Sequence, residues 1–272
     1  MDLHIEQRGD PNQPAVVCLH GLMGAARNLW RLVEQISNDG YFVISYDQRG
    51  HGRSAWATKY NEYTLSNFAH DALAVLDSRG VQRAHFIGHS MGGRVALEAT
   101  RISPDRVRTL SLLDVGPRIS PQAYQEVRKV FEPLPLVFST KEDADSFLGV
   151  HPPGMRQFLA SNLKPISAGK PSLRWCFDLA GLRSALSDNV MPNGQGIFLD
   201  QTDILKNIAV PTLVLRGQHS VHFNATEAEN AGLLNESIEV IEISGAGHWL
   251  HVDNLADTAA VLIEFLKKNT SN

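Results

Sequence analysis

The stretch that most constrains this chain is Gly88-His89-Ser90-Met91-Gly92-Gly93, set between an apolar run at 84–87 and a helix-like run behind it. Its G-x-S-x-G spacing fits a serine forced onto a sharp strand-to-helix bend. Gly88 and Gly92 carry no side chains, so neighbouring backbone can pass close to Ser90. The helix N-terminus behind Ser90 offers free N–H groups and a positive dipole end to a developing oxyanion. Taken alone, the pattern fits an ordinary glycine-rich turn equally well, so the rest of the chain must decide.

The rest of the chain alternates. Runs at 15–19 and 41–46 read as buried strands, 107–113, 210–215 and 238–243 as further strands, and 2–8 as an edge strand. Helical spacing marks 27–37, 64–79, 225–234 and 255–268. This rhythm predicts an α/β chain with a mostly parallel, doubly wound sheet. Such sheets gather their chemistry at the carboxyl ends of the strands, where His20, Asp47, Ser90 and Asp114 all fall. The rhythm breaks over 118–206, a proline-richer segment with many large apolar residues. The expected organisation is therefore a core of 1–117 and 207–272, interrupted by a mainly helical lid at 118–206 between the strands near 107–113 and 210–216.

Composition removes several classes. A net charge of −4 over 272 residues gives no electrostatic case for nucleic acid or an anionic membrane. The first residues have no apolar core of a leader, and no run reaches the length of a membrane span, so a cytoplasmic setting is expected. Cys18 and Cys176 lie far apart, which argues against a disulfide framework. Monomer and dimer both stay open.

Four motifs stand in order: HGLMG (20–24), DQRGHGRS (47–54), GHSMGG (88–93) and GAGHW (245–249). Together they resemble the α/β-hydrolase superfamily over essentially the whole chain. The LLDVGP stretch and the lid sequence GKPSLRWCFDLAGL narrow the resemblance to YbfF-type bacterial esterases and ABHD11-like proteins. The resemblance implies Ser90 as nucleophile, His248 as its base, and the backbone N–H groups of Leu22 and Met91 as an oxyanion hole. It also implies a departure in the acid. Most relatives place an Asp where this chain has Ser220, and in the YbfF-like comparison the acid comes instead from the position of Asp114. A triad is recognised by geometry and not by sequence position.

The expected activity is cleavage of carboxylic esters or thioesters of small to medium apolar acyl groups, through an acyl-enzyme and without a cofactor. Carbon–carbon bond hydrolysis, a menaquinone-pathway type of lyase reaction on an anionic substrate, and a decayed ligand-binding protein are the rivals. The run of Asp47, Arg49 and His51 is expected to form a hydrogen-bonded loop beside the site. The pairs His219/His222 and His248/His251 have no carboxylate or thiolate beside them at ligand spacing, so no metal is expected. Trp249, Trp175 and Phe138, with His20 and His89, are expected to line the pocket. Arg118, Arg128, Arg156 and Arg174 read as solvated, unless one of them meets a substrate carboxylate or phosphate.

Overall fold

The computed structural model describes residues 1–186 and 196–270. The chain opens with β1 (Ile5–Arg8) and β2 (Ala15–Leu19), and all five residues of β2 are buried. A short 3-10 turn leads into α1 (Trp30–Asn38), which buries Leu32, Val33 and Ile36 along one face. Then come β3 (Phe42–Tyr46), α2 (Leu65–Ser78), β4 (Ala84–His89), α3 (Met91–Ile102) and β5 (Val107–Leu113). The helix α2 starts where Thr64 accepts the N–H of Asn67, an ordinary N-cap.

After β5 the chain leaves the sheet. It forms α4 (Pro121–Phe131), β6 (Val137–Phe138), α5 (Lys141–Leu148), α6 (Pro153–Ser161), β7 (Leu163–Pro165), β8 (Leu173–Trp175), α7 (Leu179–Leu186) and α8 (Thr202–Lys206). Helices predominate here, but β6, β8 and β7 pair into a small antiparallel sheet. Strands of two or three residues leave no alternation to read in a sequence. The chain then returns through β9 (Thr212–Gly217), α9 (Ala225–Gly232), β10 (Ile238–Ile243), α10 (Leu250–Asp253) and α11 (Leu255–Thr270).

The main sheet runs β1-β3-β2-β4-β5-β9-β10, with every pairing parallel except that of β1 with β3. Side chains of a strand alternate between faces, and β2 divides accordingly. Val17 and Leu19 join a core with Phe68, Leu76 and Val95 from α2 and α3. Val16 and Cys18 join a second core with Leu32 and Ile36 of α1 and Leu262 and Leu266 of α11. The centre of the sheet is thus buried on both sides, which is why β2 reads as an unbroken apolar run. Each fully buried Val, Leu or Ile contributes roughly 1.5–3 kcal/mol relative to exposure.

Candidate active site

Between the end of β4 and the start of α3 stands Ser90, with φ 53° and ψ −120°. A non-glycine residue held there costs about 1–3 kcal/mol, so the surroundings must enforce it. Two glycines do so. A Cβ on Gly88 would lie 2.3 Å from the Gly92 carbonyl oxygen, and one on Gly92 would lie 2.2 Å from that of Leu19. The Ser90 N–H donates to the Leu113 carbonyl at 3.0 Å, fastening the bend to the next strand. The first N–H groups of α3 have no intrahelical acceptors and open onto the same place.

Asp114 follows β5 with φ 52° and a fully buried carboxylate. Its Oδ1 accepts the Gly217 N–H at 2.9 Å. Its Oδ2 accepts the Ser220 hydroxyl at 2.5 Å and faces His248 Nδ1 at 2.7 Å. The histidine loop can lie on the end of β9 because Gly217 has no side chain: a Cβ there would meet the Gly247 carbonyl oxygen at 2.1 Å. From the other side, His89 Nε2 donates to the His248 carbonyl at 2.9 Å.

Electrostatics follow from burial. Desolvation pushes the Asp114 carboxyl up to about 7, against the opposing pull of the Ser220 hydroxyl and the Gly217 N–H. The same desolvation pushes the His248 imidazole down to about 4. Both effects favour uncharged forms, so His248 rests as the neutral base at neutral pH. With Nδ1–H directed at Asp114, the lone pair lies on Nε2. Ser90, Asp114 and His248 line one cleft with Leu22, Met91 and His222, and its space is about 540 Å³, part of it open solvent.

The loops around the cleft are bolted together by polar contacts. Asp47 accepts the N–H groups of Ala26 and Arg53, each at 2.8 Å. His20 Nε2 accepts the Gln48 N–H at 2.9 Å, and Gln48 Nε2 donates to the His20 carbonyl at 2.6 Å. Arg49 forks onto buried Asp71 at 2.6 and 2.8 Å. These residues hold the HGLMG and DQRGHGRS turns in register.

A family model described as alpha/beta hydrolase fold matches residues 14–165, more than half of the chain. The chain belongs to this family. The hydrolase is 28% identical to the sn-1-specific diacylglycerol lipase ABHD11 of Mus musculus, over 95% of this chain and 82% of that one. It is 26% identical to the esterase YbfF of Escherichia coli (strain K12), over 89% of each. Among solved structures, a marine microorganism esterase superposes with a TM-score of 0.80 at 24% identity, covering 98% of this chain and all of that one. That likeness speaks for the fold alone.

The five residues expected to line the pocket of this hydrolase do not line the cleft at Ser90. Trp175 and Phe138 belong to the core of the 118–206 segment. The Trp175 ring stacks on Phe177 at 5.3 Å and meets Phe138 edge-on at 5.5 Å, and its indole N–H donates to the Pro135 carbonyl. A segment that long buries its largest side chains to hold itself together. Trp249 packs on Phe158 of α6, with ring centroids 5.5 Å apart. His20 is buried in the loop network, and His89 lies between His248 and His251, tilted to the first at 4.7 Å and edge-on to the second at 4.6 Å.

The cleft is lined instead by Ile119, Ala123 and Val127 at a spacing of four, by Ile197 and Phe198, and by Arg94 and Arg118. Ala123 and Val127 lie one turn apart in α4, a pair readable in the sequence as apolar helix positions, and Ile119 precedes the Ser120 cap; what they face was not readable. His222 was also missed. It comes to 4.4 Å from the His248 ring, and burial pushes it down to about 4. The rings of His222, His248, His89 and His251 follow one another in series, tilted or edge-on, with neighbouring centroids 4.4, 4.7 and 4.6 Å apart. Among the described residues no group of three or more His, Cys, Asp or Glu could hold a metal ion.

Proposed function

We propose that this hydrolase is a serine esterase, cleaving carboxylic esters or thioesters of small to medium apolar acyl groups through an acyl-enzyme. The observation that carries the reading is the 2.7 Å contact of Asp114 with His248 beside a strained Ser90 in one cleft. His248 Nε2 takes the Ser90 proton as the hydroxyl attacks the ester carbonyl. Asp114 fixes the tautomer and stabilises the imidazolium. The N–H groups of Leu22 and Met91 receive the oxyanion, a role that leaves their side chains free to be apolar. His248 then protonates the leaving group, and water repeats the sequence to release the acid. Residues 118–206 act as a cap over the 1–117 and 207–272 core, and its helix α4 supplies the apolar wall for the acyl chain. A decayed binding protein is the poorer account, because it has no need of a buried carboxylate on that histidine.

The test is hydrolysis of p-nitrophenyl esters from acetate to decanoate by the wild type and Ser90→Ala. Turnover of the shorter esters, falling on the order of a millionfold in Ser90→Ala, is the expected result. Absence of any Ser90-dependent turnover would remove the esterase reading and turn attention to carbon–carbon substrates.

A further inference from the structure

Two cations border the cleft, and among the described residues one carboxylate outside it, Asp200, acts on both. Arg94 lies in the first turns of α3 and is 2% exposed. Its guanidinium donates to the main-chain carbonyls of Ile197 at 2.8 Å, Gly116 at 3.2 Å and Leu199. Those acceptors are all neutral, and the charge that opposes its burial is that of Asp200. Arg118, four residues after Asp114, is exposed, lines the same cleft, and forms no ion pair among the described residues.

The described lining residues include one carboxylate, Asp114, which is already engaged by Ser220, Gly217 and His248. Two other acids lie near but line nothing here. Asp200 accepts the N–H and hydroxyl of Thr202 at 2.9 and 2.6 Å and offsets part of the charge of Arg94 and Arg118, leaving two cations against one carboxylate, and Glu126 pairs with Lys129 at 2.6 Å. The cleft is therefore positive on one wall. Arg118 also stands just before the Ser120 cap of α4, where the helix dipole adds to the same sign. A net positive charge beside low-dielectric walls attracts an anion more strongly than one in open water.

We propose that the cleft selects acyl esters whose apolar chain ends in a carboxylate. Arg118 pairs with that carboxylate, Arg94 supplies a fixed positive field, and Ile119, Ala123 and Val127 hold the methylene stem between carboxylate and scissile carbonyl. This rests on the esterase reading and names its substrate class. Arg118 is then a specificity-determining residue, and its planar fork suits a bidentate partner.

The experiment compares p-nitrophenyl hexanoate with mono-p-nitrophenyl adipate on wild type, Arg118→Gln and Arg118→Lys. Taking the ratio of kcat/KM for the two esters cancels any loss common to both. Wild type is expected to favour the adipate ester by about tenfold. The ratio should collapse in Arg118→Gln, return in part in Arg118→Lys, and shrink as salt is raised. A wild-type ratio near one, or a preference that survives Arg118→Gln, overturns the proposal and leaves the esterase reading standing. If neither ester shows Ser90-dependent turnover, the esterase reading fails, and calorimetry of adipate against hexanoate on Ser90→Ala decides the subsite. Tighter adipate binding that vanishes when Arg118→Gln is added supports it; binding that is absent or indifferent to Arg118→Gln overturns it.

Discussion

Asp114 Oδ2 reaches His248 Nδ1 at 2.7 Å from the end of β5, although β9 lies between β5 and β10 in the sheet. The left-handed φ of 52° at Asp114 and the open backbone at Gly217 let the carboxylate cross that gap. An Asn at 114 would direct its amide N–H at the imidazole and force Nδ1 to accept. The proton would then sit on Nε2, where the Ser90 proton must go. Asp114→Asn is expected to lower kcat on p-nitrophenyl butyrate by about 10³–10⁴ with the fold intact by circular dichroism. Retention of more than about a tenth of the rate would exclude Asp114 as the orienting acid.

Ser220 has a different part. Its hydroxyl donates to the Oδ2 that faces His248, and so favours the charged carboxylate against burial that pushes Asp114 up to about 7. A hydrogen bond to a charged group contributes roughly 1.5–3 kcal/mol, equivalent to about 1–2 pH units. In Ser220→Ala the Asp114 carboxyl binds its proton more tightly. The acid limb of kcat/KM should therefore move to higher pH by about one unit, with less than about tenfold loss on the plateau above it. The limb belongs to the Asp114–His248 pair as a unit. A pH–rate profile with an unmoved limb and a lowered plateau would show that Ser220 acts through packing alone.

The elements of the sheet were legible because β2, β3 and β9 are buried on both faces and are mostly apolar along their length. The motif order HGLMG, DQRGHGRS, GHSMGG and GAGHW located the family, since each motif marks a strand end that the fold brings to one edge. The cleft wall was not legible. Ala123 and Val127 are a pair any amphipathic helix could have, Ile119 lies just before the helix, and their direction depends on how α4 leaves β5. Bulky aromatics misled for a physical reason. Trp175 and Phe138 are the side chains best able to hold a segment with short strands together, so they face one another and not the cleft at Ser90.

Two glycines should behave oppositely. At Gly92 a Cβ would meet the Leu19 and His20 carbonyl oxygens at 2.2 and 2.7 Å, and backbone atoms cannot turn aside. Gly92→Ala is expected to cost about 1–3 kcal/mol and to displace the Ser90 bend, so activity should fall further than stability alone explains. At Gly154, inside α6, a Cβ meets nothing within 4 Å. Gly154→Ala should stabilise by about 0.5–1 kcal/mol through helix propensity and a less flexible unfolded chain. Urea unfolding of both variants checks the contrast; equal midpoints would contradict it.

Stability should fall on mild acidification because histidines are buried neutral. Burial pushes His51 and His85 down to about 3 and His222 and His248 to about 4, and it lowers His20, His89 and His251 as well. In the unfolded chain each titrates near the ordinary value of 6.5. Below that pH the unfolded state binds protons the folded state refuses. Their stabilising contribution is thus complete above about 6.5 and is lost as pH falls toward 4. Each such group removes up to about 1.4 kcal/mol per pH unit once its unfolded form is charged. Asp114 opposes this, because a carboxyl raised to about 7 gains folded stability as pH falls toward 3.8, but it is one group against seven. The urea midpoint should drop markedly between about pH 7.5 and pH 5 with an unchanged m-value. His85→Gln keeps hydrogen-bonding capacity toward Thr109 and Thr270, far from the cleft, and removes one titrating group. Its stability should therefore fall less steeply with acid than that of the wild type. A wild-type midpoint flat across that range would mean these imidazoles take up protons in place, against the desolvation that their burial imposes.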